Sequence, residues 1–287
     1  MHAGDLYHRL KYQLDDVGTD VNQLRGEMEL GAKGLLEELL AADQCFAQEE
    51  FDEAESAYQE LRDQCDAYAV PWLESKLALV QFERSMVKGE WTPIKFDPIL
   101  GLWDQRTGEW EADKEGRLVA QGRKSRGWWR IVHRGSVGAD FEMRTKVRFE
   151  SHDPFAFRLG PVVGCRCQLD RFGRPKPEKA DWISCVWSRN KKGKSSTLLL
   201  NRYHLGNLRP QPVQVPATEI TELKVHAVDG KITFYINGVP VITDQALTPL
   251  NKEKPIKLLS GDGVGFFIHF MATDPKVIFE DAEVRRL

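Results

Sequence analysis

A chain of 287 residues, 41% hydrophobic and 29% charged, has room for one large domain plus a smaller one and the composition of an ordinary soluble globular protein. No run of about eighteen apolar residues occurs, which excludes a bilayer-spanning helix. The opening MHAGDLYHRLKYQLDD lacks the apolar stretch of a secretory signal, so the expected compartment is the cytoplasm.

The net charge of −3 conceals a division. Residues 1–95 hold 20 Asp/Glu and 9 Lys/Arg, net −11, and the remainder therefore holds 23 and 31, net +8. Two separately built modules follow from such asymmetry, with the basic one suited to an anionic partner or to the acidic one. Cysteines at 45, 65, 165, 167 and 185 are odd in number and outline no disulfide framework, which fits reduced thiols.

Residues 5–30 read as a helix. Tyr7, Leu10, Leu14, Val17, Val21, Leu24 and Met28 alternate spacings of three and four, a heptad seam that either dimerises the chain through residues 5–30 or packs on the next helices. Gly31 and Gly34 break it. Further helices are predicted over 35–48, 52–67 and 71–88, with Asp52 as an N-cap and Pro71 in the first turn of the last. Ala42, Phe46, Phe51, Ala54 and Tyr58, around the turn QEEFDEAESAY, resemble the packing positions of a tetratricopeptide repeat, although Glu49 stands where that repeat has glycine. The resemblance implies helical hairpins that mediate protein contact. Prolines 93 and 98 mark residues 93–102 as a linker, which divides the chain into a helical module 1–92 and a β-module 103–287.

Strands are predicted over 109–112, 117–121, 128–134, 139–150, 156–169, 182–189, 196–203, 221–228, 231–237, 239–243, 264–271 and 276–286. Leu223, Val225 and Ala227 alternate, Asp229-Gly230 turns the chain, and Ile232, Phe234 and Ile236 alternate again before Asn237-Gly238, the signature of an antiparallel meander. In 140–150, Phe141, Met143, Val147 and Phe149 form an apolar side. Asp140, Glu142, Arg144, Lys146, Arg148 and Glu150 form a charged one. Many short strands between turn signals require two sheets that bury one face each.

The runs LWDQRTGEWEADKEGRLVAQG, GWWRIVHRGSVGADFEMRTKVRF, FYINGVPV and VIFEDAEVRRL resemble, in this order, the concanavalin A-like lectin/glucanase superfamily, and within it the laminin-G-like and bacterial 3-keto-disaccharide-hydrolase-type domains. The resemblance covers roughly 100–287. The fold class expected is thus α+β by segregated modules, N-terminal α-helical hairpins followed by an all-β concanavalin A-like jelly-roll sandwich.

Glucanases of that fold carry an E-x-D-x-x-E strand motif, which puts two carboxylates near the separation that retaining hydrolysis needs. No such motif occurs; the nearest catalytic candidates are Asp140 and Glu142, on a strand that continues with Arg144, Lys146 and Arg148, so a solvated charge ladder accounts for them. Cys165, Cys167 and Cys185, with His204, offer thiol and imidazole ligands to zinc, but a C-x-C pair with scattered partners reads more simply as buried thiols. No metal and no cofactor are expected.

Of the tryptophans, Trp103, Trp110, Trp128, Trp182 and Trp187 fall in alternating patterns and belong to the core. The ligand-binding candidates are Asn201, Arg202, Tyr203, His204 and Arg209, whose planar and polar groups suit a sugar or a carboxylate-bearing ligand. Basic runs at 123–126, 171–179 and 189–194 suit either polyanions or charged hairpin tips. Histidines 133, 152, 226 and 269 have no informative spacing. The function expected is non-catalytic binding: the sandwich takes carbohydrate or a protein surface and the helices contact protein. A glycoside hydrolase-type enzyme and a polyanion-binding scaffold are the alternatives, and neither membrane nor nucleic acid is an expected partner.

Overall fold

Helix α1 (Leu36–Ala47) buries Leu39 and Ala42, α2 (Phe51–Gln64) buries Ala54, Tyr58 and Leu61, and α3 (Val70–Val87) buries Leu73, Leu77 and Val80. Each set recurs at three or four residues, so every helix turns one stripe into a shared core. The computed structural model describes residues 29–31, 33–66, 69–96, 102–107, 110–121, 128–133, 135–150, 156–169, 175–190, 192, 194–201, 211–214, 220–246, 263–270 and 276–287. The helix expected over 5–30 lies outside them except for its last two residues.

Local chemistry sets the helix ends. Glu37 and Glu38 sit in the first turn of α1, and Asp52 and Glu53 in that of α2, where carboxylates meet the positive end of the helix dipole. Asp52 is not the N-cap; that position is Glu50. Between α1 and α2 the chain reverses through Glu49 in the left-handed region, at φ 62°, a position where glycine would be unstrained. Glu29 accepts the amide hydrogens of Asp66 and Ala69, and so ties the first helical residues to the α2–α3 connection. Lys76 and Tyr58 both donate to Asp43, at 2.6 and 2.5 Å.

Fifteen strands follow among the described residues: β1 (Thr92–Pro93), β2 (Trp103–Thr107), β3 (Trp110–Ala112), β4 (Leu118–Gln121), β5 (Trp128–His133), β6 (Phe141–Phe149), β7 (Phe157–Leu169), β8 (Pro175–Arg189), β9 (Ser195–Asn201), β10 (Gln211–Val213), β11 (Ile220–Val228), β12 (Lys231–Ile236), β13 (Val239–Ala246), β14 (Gly263–Phe270) and β15 (Lys276–Arg286). They form two antiparallel sheets in a jelly-roll-like sandwich. One has the order β13-β12-β11-β6-β15-β4-β3 with β1 against β15, and the other β10-β9-β8-β7-β14-β5-β2. Strands β1, β2 and β10 were not expected from the sequence, because none has a run of alternating apolar residues. Strand β8 begins at Pro175 rather than 182, so Pro175 and Lys176 of the basic run 171–179 pair with Leu169 and Gln168 of β7.

Aromatic rings join the sheets. Phe149 of β6 lies 4.7 Å from Phe157 and 5.9 Å from Trp187, and Phe279 of β15 lies 4.4 Å from Phe266. Trp103, Trp110 and Trp187 are buried as expected; Trp129, which was not expected in the core, is buried too, and the side chains of Trp128 and Trp182 lie outside the described residues. Asp229-Gly230 and Asn237-Gly238 both adopt positive φ at the two turn residues, the geometry of tight hairpins.

Residues 1–84 with 99–101 form one compact unit, and 85–98 with 102–287 the other. In the second unit Trp91 is held beneath two guanidinium groups, with Arg144 Cζ at 4.2 Å and Arg285 Cζ at 4.7 Å from the ring centre. The Ile94 amide donates to the Ala282 carbonyl at 2.7 Å, and β1 pairs with Val284 and Glu283. The segment before the sandwich is therefore clamped to β15 by backbone and ring alike. Trp91→Ala is expected to lower the stability of the chain by roughly 2 kcal/mol, from two partly exposed cation–π contacts and lost ring burial. Urea denaturation followed by tryptophan fluorescence reads it, and an unchanged midpoint would show that the clamp contributes nothing.

Candidate functional site

Directly opposed residues of an antiparallel pair share a face, so register assigns every described side chain to the inside or outside of the sandwich. On the outside of the eight-stranded sheet, Arg285, Glu142, His226 and Thr233 stand opposite one another across β15, β6, β11 and β12. Glu142 is the hub. Its Oε1 receives Lys224 Nζ at 2.6 Å and lies 3.1 Å from His226 Nδ1, and its Oε2 receives Arg285 at 2.6 and 2.9 Å. With 5% of its surface exposed, it is a desolvated carboxylate rather than a rung of a solvated ladder.

Burial alone would raise the pKa of Glu142, but hydrogen bonds from Lys224 and Arg285, together with their charge, hold it at about 2. A carboxylate so engaged is a poor proton donor and a poor base. Asp140 is occupied elsewhere, because its Oδ1 accepts the Asp229 amide hydrogen at 2.9 Å and pins the β11–β12 turn. The two carboxylates thus have separate partners. In the next row Arg144 pairs with Glu283 at 2.6 Å, and Lys146 reaches Asp281 at 2.8 Å, beside the irregularity in β15. This face is a lattice of satisfied ion pairs.

The outside of the seven-stranded sheet differs. Val132, Val162, Val186, Leu198 and Phe267 are buried there as an apolar cluster on the face opposite the ring contacts of Phe157, Trp187 and Phe266. Ser184, in the row of Val162, is fully buried and its hydroxyl makes no hydrogen bond among the described groups.

Along one side of this apolar floor runs a polar row. Ser196 opposes Ser188, Ser188 opposes Arg158, and Arg158 opposes His269, so β9, β8, β7 and β14 each contribute one group. Arg130 of β5 stands opposite Phe267, one row away. Arg130, Arg158 and His269 are half-buried. Burial and the neighbouring Arg158 charge both lower the pKa of His269, which favours its neutral imidazole beside a permanent cation. The row thus brings guanidinium groups, an imidazole and hydroxyls together beside buried apolar side chains. By register Asp104 of the edge strand β2, opposite Val132, belongs to the same face; its side chain lies outside the described residues.

The structure places only part of the sequence-derived site. Asn201 ends β9 with its backbone opposite Ile183, while Arg202, Tyr203, His204 and Arg209 lie outside the described residues. Cys185 is fully buried and its thiol pKa is pushed up by burial, which suits an inert core thiol. Cys165 opposes Gly263 in β7 and β14; its side chain and that of Cys167 lie outside the described residues. No cluster of metal-ligating side chains occurs among the described residues, and no described helix is long and apolar enough to cross a membrane.

Lys192 and Lys194 are exposed at the β8–β9 hairpin tip, where their amides donate to Asn190 Oδ1. His133 is buried against Trp103, and its Nδ1 accepts the Gly135 amide hydrogen. Sequence reading did not single out Arg130 or Arg158 and set His269 aside as a lone histidine. Their one local signal is a lone polar residue inside an otherwise apolar strand, WWRIV, FAFRL and FFIHF.

No protein-family model matches this chain, and no curated protein matches it. Among solved structures it is similar to a carbohydrate-binding module, CBM66, from Bacillus subtilis, at 13% identity over 64% of this chain and 95% of that one, with a TM-score of 0.36. A protein of unknown function with a galectin-like fold from Bacillus subtilis matches at 13% identity over 68% and 94%, with a TM-score of 0.48. A Bacillus licheniformis β-glucanase matches at 8% identity over 69% and 98%, with a TM-score of 0.43.

Proposed function

We propose that this is a non-catalytic binding protein whose sandwich takes carbohydrate on the outward face of the seven-stranded sheet. The observation that carries this reading is the row Ser188–Arg158–His269 with Arg130 beside it, supplied by neighbouring strands on one face of the sheet. Planar and hydroxyl groups set side by side on neighbouring strands suit a sugar, because its ring-edge hydroxyls hydrogen-bond to such groups. Glycoside hydrolysis instead draws on two closely spaced carboxylates, and the groups of this row are cationic and neutral.

Asn201, Arg202, Tyr203, His204 and Arg209, at and beyond the end of β9, belong to the same proposal as contributors at its margin. On a glycan array the chain is expected to retain at least one glycan class, and His269→Ala and Tyr203→Ala are each expected to weaken retention about tenfold or more. Absence of retention by any glycan would sink the reading.

The helical unit carries protein contact in this proposal, through tetratricopeptide-like hairpins. Leu36 and Leu40, one turn apart on α1 and 42% and 67% exposed, support it. Its specific form is a homodimer through the seam of residues 5–30. Sedimentation of the full chain is expected to give a dimer that becomes monomeric when residues 1–28 are removed; a monomeric full chain at tens of micromolar would refute it.

A further inference from the structure

We propose that the outward stripe of α1 docks a basic amphipathic helix of a partner protein. This rests on the reading that the helical unit makes protein contact, and it names the chemistry of the partner. Leu35, Leu39 and Ala42 turn into the helical core, yet Leu36 and Leu40 on the same helix are 42% and 67% exposed. Ala41 and Ala47 are exposed as well. At about 100° per residue, Leu36, Leu40 and Ala47 fall within about 40° of one another around the axis. Helix α1 is thus apolar on two faces, and a helix of that kind is ordinarily covered on both.

Charge decides what covers the second face. Residues 29–87 hold 14 Asp/Glu and 4 Lys/Arg, a net charge of −10. All four cations are already engaged: Lys33 with Asp66, Arg62 with Asp63, Lys76 with Asp43, and Arg84 with Asp52 and Glu55. Glu37 is exposed and makes no ion pair among the described residues. Glu37 and Asp43 each stand three residues from Leu40 and so border it on the helix surface.

An apolar stripe bordered by carboxylates, in a unit with no spare cation, is complementary to apolar side chains bordered by Lys or Arg. A helix supplies both at once. Its leucines, at spacings of three and four, meet Leu36 and Leu40, and its flanking cations meet Glu37. The sign of the charge separates such a partner from a lipid surface, whose anionic headgroups the same carboxylates repel.

Fluorescence anisotropy of a labelled synthetic helix, titrated with the full chain, tests the proposal. The probe is a peptide of Leu and Lys, about sixteen residues or four turns long, with Leu at spacings of three and four. One comparator has Glu in place of Lys, and another has the same composition scrambled so that no apolar face forms. The Leu/Lys helix is expected to bind at least about tenfold more tightly than either. Leu36→Gln combined with Leu40→Gln is expected to weaken it about tenfold or more, and Glu37→Lys about threefold with a shallower dependence on salt. Glu53→Lys, on α2, is expected to bind as the parent does, and thermal midpoints check that each variant is folded. Equal binding of a comparator, or binding indifferent to both leucines, would overturn the proposal. Loss on Glu53→Lys equal to that on Glu37→Lys would reveal attraction to diffuse charge and overturn it too. Failure of the Leu/Lys helix to bind at all would also overturn it, while protein contact through residues 5–30 would still stand or fall by sedimentation of the full chain.

Discussion

Gly160→Ala and Gly265→Ala are each expected to destabilise the chain by at least about 3 kcal/mol, enough to unfold a domain of ordinary stability at modest temperature. A Cβ at Gly160 would stand 1.8 Å from the Cys185 carbonyl oxygen, and one at Gly265 would stand 2.0 Å from that of Ile131. Both obstructing atoms are backbone of the neighbouring strand, β8 in one case and β5 in the other, so relief requires the strands to separate rather than a side chain to turn aside. These strands lie in the middle of the seven-stranded sheet, where separation breaks ladder hydrogen bonds on both sides.

Gly31→Ala is the control. Its Cβ would meet Leu36 Cδ1 at 3.4 Å, an ordinary contact, in a residue that is already helical, and it is expected to be neutral or to stabilise by up to about 1 kcal/mol. Thermal unfolding by circular dichroism compares the three. A wild-type midpoint for Gly160→Ala would mean that the strand spacing at β7–β8 is wrong.

The second large effect belongs to Glu142. Glu142→Gln removes the negative charge that Lys224, Arg285 and His226 surround and is expected to cost about 2–3 kcal/mol. The cost stays below that of a fully buried pair because the Lys224 and Arg285 side chains, 31% and 36% exposed, can turn to water.

The same residue sets a pH dependence. Its pKa is about 2 in the folded protein against an ordinary 4.5, so the unfolded chain takes up the proton first as pH falls. The stabilisation is therefore complete above pH 4.5 and disappears between about 4.5 and 2. At 1.36 kcal/mol for each pH unit, the gap of about 2.5 units amounts to roughly 3 kcal/mol, an upper figure given water near the cluster. Urea midpoints measured from pH 6 to pH 2 should fall steeply for the parent and less steeply for Glu142→Gln. Parallel slopes would show that Glu142 titrates normally.

The Glu142 cluster also separates the roles of the two outward faces. On the eight-stranded sheet the charges satisfy one another and hold β6, β11 and β15 in register, an arrangement that rigidifies without leaving chemistry to perform. On the seven-stranded sheet Ser188, Arg158 and His269 of adjacent strands share one row of the outer face, which is where the binding proposal stands.

Much of the fold was legible in the chain itself. Alternation of Leu223, Val225 and Ala227, the Asp229-Gly230 and Asn237-Gly238 turns, and the three- and four-residue spacing of Leu73, Leu77 and Val80 are local properties, and each element that depends on them formed where expected. Strand β2 and the early start of β8 were not legible, because their backbones are paired by neighbours rather than by any pattern of their own. Sequence alone thus determined the segregated helices and the two-sheet sandwich, since side-chain period and turn chemistry act over a few residues. Only the tertiary structure decided that Glu142 meets His226 and Arg285, and that Arg158, His269 and Arg130 share a face. Those groups lie on strands far apart in the chain, and their register is set by how whole sheets bury their apolar sides against each other, which no local spacing encodes.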